Sequence, residues 1–111
     1  MKFNPDSFDR CKLETKRQRV KKSLFNQLKV KWLVDDHYID MVYDYLRLWD
    51  LKEKLFEAID EYGITVPTKY GPKSNPAISD LHKTNQQMIK LLDSMGLKAQ
   101  PVEEDDDDDD F

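Results

Sequence analysis

The sequence predicts an all-α fold: a long helical hairpin followed by a third, C-terminal helix, assembled into an oligomer and ending in a disordered acidic tail. Three observations carry that prediction. Three glycines and five prolines are the only strong punctuation in 111 residues, so the stretches between them are long enough for helices of many turns. Those stretches carry apolar residues at helical spacing. They are also bracketed by start and stop residues: Asn4-Pro5 and Asn75-Pro76 at the front of two of them, Gly63 and Gly96 behind.

Asn4-Pro5 reads as an N-cap followed by proline at the first helical position. The helix is expected to run from about Pro5 to Lys29. Its apolar stripe is Leu13, Val20, Leu24 and Leu28, with Phe25 beside it, and the stripe is firm only from Val20 onward. Val30 to Val34 forms a short apolar connector containing Trp32. Asp35 and Asp36 offer a cap and favourable negative charge at the start of a second helix. Nothing interrupts that helix before Gly63, and its 27 residues from Asp36 to Tyr62 span about 40 Å. One side carries Ile39, Val42, Tyr45, Leu46, Leu48, Trp49, Leu55, Phe56 and Ile59, an arc wider than one partner helix requires, so two or more neighbours are expected.

Ile64 to Ser74, with Pro67, Gly71 and Pro72, is expected to be a loop. Asn75-Pro76 then opens a third helix that should reach Met95 before Gly96 caps it. Ile78, Leu81, Asn85, Met88, Leu92 and Met95 follow the heptad spacing of helices that pack side by side. Asn85 is the polar member of this seam. It either fixes register or subunit number, or it stands at the edge of an ordinary core stripe. From about Gln100 the chain reads as tail: Pro101 stops a helix, and Glu103 to Asp110 is an unbroken acidic run. The organisation is therefore a basic helix and connector over 1–33, a helical core and oligomerisation region over 34–99, and a disordered acidic tail over 100–111.

The net charge of −4 hides a polarised chain. Residues 1–31 hold ten Lys/Arg and three Asp/Glu; residues 32–102 hold eight and eleven; residues 103–111 hold eight acids and no base. No phosphate-binding glycine loop, HExxH, CxxC or GxSxG motif is present, so no catalysis and no cofactor are expected. His37 and His82 fall on different helices, and Cys11 is the only cysteine, so neither a metal site nor an internal disulfide is expected. No apolar run approaches the roughly 18 residues of a membrane span, and the N-terminus lacks the apolar core of a signal peptide. A cytoplasmic protein without membrane contact is the expectation.

The basic segment is the strongest physical feature. Arg10, Lys12, Lys16, Arg17, Arg19, Lys21 and Lys22 fall within thirteen residues. On a helix Lys12, Lys16 and Arg19 form one stripe, while Arg10, Arg17 and Lys21 lie closer to the apolar side. Such a surface attracts phosphate through Coulomb forces and counterion release. It has no base-reading signature, so backbone contacts to nucleic acid are expected. The candidate oligomer interface comprises Trp49 and Phe56 of the second helix and Ile78, Leu81, Asn85, Met88 and Leu92 of the third. Gathering copies would cluster their positive ends and multiply the field. The acidic run has three readings: it binds a basic partner, folds back on the basic segment in competition with nucleic acid, or keeps an oligomer soluble.

Several stretches together resemble a family. An Asp-led helix ends in Glu61-Tyr62-Gly63. After a short loop come Tyr70-Gly71-Pro72-Lys73-Ser74-Asn75-Pro76-Ala77, then Leu81-His82-Lys83, Gln86-Gln87-Met88 and Leu91-Leu92-Asp93-Ser94-Met95-Gly96-Leu97. Over about residues 23–97 this order is similar to small terminase subunits of tailed double-stranded-DNA bacteriophages. The resemblance implies a protein that assembles into rings, binds viral DNA, brings it to the large terminase subunit that holds the ATPase and nuclease, and modulates those activities without being an enzyme. It implies the host-cell cytoplasm as location, and a structural role for Asn75, Pro76 and Ala77 as the start of the third helix. The chain departs from relatives in two places: Lys98-Ala99-Gln100-Pro101 and an acidic run follow Gly96-Leu97 where a proline and basic residues often stand, and the N-terminus shows no clear helix-turn-helix. The basic segment takes the place of that motif as DNA-binding candidate. The alternative is an oligomeric helical adaptor that binds proteins through both charged ends, with no nucleic-acid role.

Overall fold

The computed structural model describes residues 3–97. They form α1 (Pro5–Arg10), α2 (Leu13–Val30), α3 (Asp36–Tyr62), β1 (Thr65–Thr68), β2 (Gly71–Ser74) and α4 (Pro76–Ser94). The expected disorder of residues 100–111 lies outside the described residues.

The long helix α3 is central. α2 and α4 both run antiparallel to it. Leu24 and Leu28 of α2, Val42 and Leu46 of α3, and Met95 beyond the end of α4 form one buried cluster. At the far end of α3, Asn75 at the start of α4 donates from Nδ2 to the carbonyls of Gly63 (2.8 Å) and Ala58 (3.4 Å). The broad apolar arc of α3 thus meets two neighbours within the same chain. Val42, Leu46 and Trp49 are buried at i, i+4 and i+7, the spacing of one helical face.

The first helix departs from expectation. A continuous helix from Pro5 to Lys29 is interrupted at Cys11 and Lys12, both extended, with ψ 152 and 156. No glycine or proline marks the break. In an unbroken helix Phe8 would lie about 16 Å along the axis from Arg19. The break folds α1 back, so that the Phe8 ring centroid lies 5.3 Å from the Arg19 guanidinium and 5.9 Å from Lys16 Nζ. The Cys11 thiol also donates to the Ser7 carbonyl at 3.2 Å. Of the expected apolar stripe, Leu24 and Leu28 are buried, Val20 is half-buried and Leu13 is exposed.

α2 and α4 end alike. The Leu33 amide reaches back to the Leu28 carbonyl (2.9 Å), and the Leu97 amide to that of Leu92 (2.8 Å). Each bond spans a left-handed residue, Trp32 with φ 60 and Gly96 with φ 70. Lys31 Nζ joins the two ends by donating to the Gly96 carbonyl at 2.7 Å, close to the negative end of the α4 dipole. Glycine is the usual occupant of such a position, and a bulky residue there is strained. Trp32 gains little in return, because its side chain is 85% exposed. Trp32→Gly should therefore raise stability by about 0.5–1 kcal/mol, visible as a higher urea midpoint. A lower midpoint would mean that the indole makes contacts worth more than the strain.

The segment Ile64–Ser74, expected as a loop, contains an antiparallel hairpin. Thr65 pairs with Ser74, Val66 with Lys73, Pro67 with Pro72 and Thr68 with Gly71. The two prolines oppose each other, so neither is asked for an amide proton within the ladder. Gly71 takes φ 106 after the tight turn at Lys69-Tyr70.

The α4 seam is turned by about one residue from its expected line. Ala77, Thr84, Met88 and Met95 are buried, and Asn85 is exposed. The buried polar member is Thr84, whose hydroxyl is satisfied by the Asp80 carbonyl at 2.8 Å. Within the protomer Asn85 stands at the edge of the stripe.

Candidate nucleic-acid interface

The seven basic candidates are divided by the fold. Arg17 and Lys21 face α3. Arg17 Nε donates to Asp50 Oδ1 at 2.8 Å. Both side chains are partly exposed, so this pair contributes less than about 1 kcal/mol, but it occupies Arg17. Lys21 Nζ lies 5.1 Å from the centroid of Tyr43, whose ring meets Phe25 edge-on at 5.9 Å. These two cations stitch the helical hairpin together.

Lys16 and Arg19 turn toward α1 and flank Phe8. Arg19 Nη1 also donates to Ser7 Oγ (3.5 Å) and Cys11 Sγ (3.4 Å). Such contacts orient a guanidinium without neutralising it. Arg10, at the end of α1, and Lys12 and Lys22, at the start and middle of α2, are exposed. Lys12, Lys16 and Arg19 keep the i, i+4, i+7 spacing of one helical face. Among the described residues the ion pairs are Arg17–Asp50 and Arg47–Asp44, so no carboxylate is paired with Arg10, Lys12, Lys16, Arg19 or Lys22 there.

Sequence reasoning missed two partners of this surface. Phe8 stands in a polar stretch outside any apolar stripe, and only the break after Arg10 brings it to α2. Asp50 reads as one of several solvated acids on α3, and its separation of 33 residues from Arg17 hides the pair. Lys29, exposed one heptad beyond Lys22, extends the basic surface along α2.

Beside this surface lies a groove of about 580 Å³. Val20 and Leu24 of α2, Tyr45 of α3, Leu92 of α4 and Leu97 just beyond it supply apolar lining, and Phe8 of α1 adds a ring. Arg19 and Lys22 line the same groove. Burial pushes the Tyr45 phenol above its ordinary value near 10, so the groove presents it as a neutral hydroxyl.

The candidate interface residues also separate. Trp49 and Met88 are 6% and 2% exposed and are used inside the protomer. In this conformation both side chains are packed within the protomer. Ile78, Leu81 and Leu92 are half-buried, while Phe56 and Asn85 are exposed. Ile89, which the expected seam omitted, is 50% exposed on α4.

Among the described residues no group of three or more His, Cys, Asp and Glu side chains is placed to hold a metal ion. None of the described helices is long and apolar enough to cross a membrane.

No curated protein and no solved structure shows significant similarity to the chain. A family comparison does: the model of the phage terminase small subunit matches residues 20–101, which take in α2 from Val20 onward, α3, the β-hairpin and α4. That span exceeds half of the 111 residues and includes the hairpin-to-α4 junction at Asn75-Pro76. The chain therefore belongs to the phage terminase small-subunit family, whose work is viral genome packaging.

Proposed function

We propose that this protein is a non-catalytic, homo-oligomeric DNA-binding subunit of a packaging machine. In the cytoplasm of the bacterial host it holds double-stranded viral DNA through α1 and α2 and delivers it to the large terminase subunit, whose ATPase and nuclease it regulates. The observation that carries the proposal is the set of cations with no carboxylate partner among the described residues: Arg10, Lys12, Lys16, Arg19 and Lys22. Arg17 and Lys21 serve the fold instead and hold that surface in shape. Phosphate would replace water around the outward cations and release counterions from the duplex. Nothing in the set is arranged to read base edges, so affinity without strong sequence preference is expected from one protomer. An oligomer adds copies of the same surface and converts weak contacts into avidity. Exposed Phe56, Asn85 and Ile89, with half-buried Ile78 beside them on α4, offer surface for that assembly.

The test is fluorescence anisotropy of a labelled duplex titrated with full-length protein across a range of salt. Affinity should fall steeply with salt. Replacing Lys12 and Lys22 by Ala should lower the slope of log K against log salt by about 2 per protomer in contact, one unit for each phosphate contact removed. Both side chains are exposed, so folding should be unaffected. A duplex affinity that ignores salt, or a slope the double substitution leaves unchanged, refutes the assignment.

A further inference from the structure

The groove between α1, α2 and the end of α4 combines two features: an apolar lining and two cations, Arg19 and Lys22, on one edge of the DNA-binding candidate. A ligand that suits it pairs apolar side chains with carboxylates. The chain carries such a segment close by. Leu97 is the last described residue and also lines the groove. Five residues later comes Val102, followed by Glu103, Glu104, six aspartates and Phe111. Five residues of extended chain reach up to about 17 Å, enough to bring Val102 back over the groove.

We propose that the groove receives the chain's own segment 102–111, with its carboxylates on Arg19 and Lys22, so that DNA must displace the segment before it gains those cations. This regulation rests on the DNA-binding function proposed above. Charge selects the occupant: the groove is bordered by cations of α2 that have no carboxylate partner among the described residues, and the acidic run holds eight acids with no base. Connectivity selects the same chain. A segment that starts at the groove wall has an effective local concentration in the millimolar range, which a segment from elsewhere lacks unless assembly provides it. The contact is electrostatic and weakens with salt, as DNA binding does. It therefore acts as a threshold: a single phosphate contact does not dislodge eight carboxylates, whereas a duplex laid across several protomers does.

The test uses the full chain with Cys11→Ser and Asp108→Cys, a nitroxide on the new thiol, and methyl NMR of the Val and Leu side chains. Position 108 lies eleven residues beyond Leu97, up to about 36 Å of chain, so proximity to α2 is not imposed by connectivity. The expected result is selective broadening of the Val20, Leu24 and Leu92 methyls, lost on adding either DNA or high salt. Uniform methyl intensities would overturn the contact. Broadening that survives only when isotope-labelled chains are mixed with separate spin-labelled chains would assign the segment to a neighbouring copy and overturn the same-chain proposal. In parallel, changing Glu103–Asp110 to Gln and Asn should raise duplex affinity about tenfold or more at low salt. An unchanged affinity, with the native chain still binding DNA, overturns the competition and leaves DNA binding in place. A native chain that binds no DNA removes the function proposed above, and the methyl broadening still decides the contact on its own.

Discussion

Trp49→Ala should lower the unfolding free energy by about 3–5 kcal/mol, the range for truncating a large aromatic in a packed interior. Trp49 is 6% exposed on the face of α3 that also buries Val42 and Leu46. The antiparallel register sets Met88 of α4 at its level: seven residues separate Met95 from Met88 and Val42 from Trp49, about 10 Å along each helix. Truncation leaves a cavity between two helices that are also tied at Asn75 and by the hairpin, so neither is free to collapse into it. Chemical denaturation followed by circular dichroism gives the loss directly. The substitution also separates two roles for Trp49. A tryptophan used within the protomer predicts that stability falls whatever the protein concentration. One used between copies predicts a change in subunit number, by light scattering, with protomer stability little altered. The second outcome would reverse the placement of Trp49 inside the single chain.

Asn75→Ala is expected to cost about 2–4 kcal/mol, more than an ordinary helix cap. Asn75 is 5% exposed and uses both ends of its amide. Its Oδ1 accepts from the Ala77 amide at 3.0 Å and caps α4, while its Nδ2 satisfies the Gly63 and Ala58 carbonyls at the end of α3. Its own backbone amide donates to the Ile64 carbonyl at 2.9 Å and closes the base of the β-hairpin. Alanine keeps that last bond and loses the others, leaving the Gly63 carbonyl behind α3 without its side-chain donor. Asn75→Asp sharpens the test. Aspartate retains the acceptor that caps α4 but offers no donor to α3, and it brings negative charge against two carbonyl oxygens. It should destabilise at neutral pH by at least as much as alanine. If aspartate restored native stability, the link to α3 would be unimportant and Asn75 would be only a cap. Because one side chain joins the ends of both long helices, its loss should also loosen the α3–α4 hairpin locally, seen as faster amide exchange at the end of α3.

Helix limits were open to reading because their signals are local. Asn-Pro presets a capped start, and a glycine past the last turn accepts the left-handed conformation that ends a helix. α3 accordingly spans Asp36–Tyr62 with Gly63 behind it, and α4 opens at Pro76. The order of stretches from the end of α3 to Leu97 likewise carries the resemblance to the terminase small subunit. The uneven placement of charge also belongs to the sequence, since counting along the chain requires no contact.

Other features depend on residues that meet only when the chain is folded. The break at Cys11–Lys12 carries no glycine or proline, and it brings Phe8 to Lys16 and Arg19. Pro67 and Pro72 argue against strands one at a time and become harmless only when they face each other. Arg17 and Arg19 are alike in sequence, yet Asp50 takes one into the fold and Phe8 holds the other at the surface. A wide apolar arc leaves the rotation of its helix undecided, and turning α4 by one residue exchanges Thr84 for Asn85 in the core. The sequence alone determined where α3 and α4 start and stop and where its charge lies, because those depend on neighbours along the chain. The tertiary structure decided which apolar residues are spent inside the protomer and which cations remain outside, because burial and ion pairing require a partner in space.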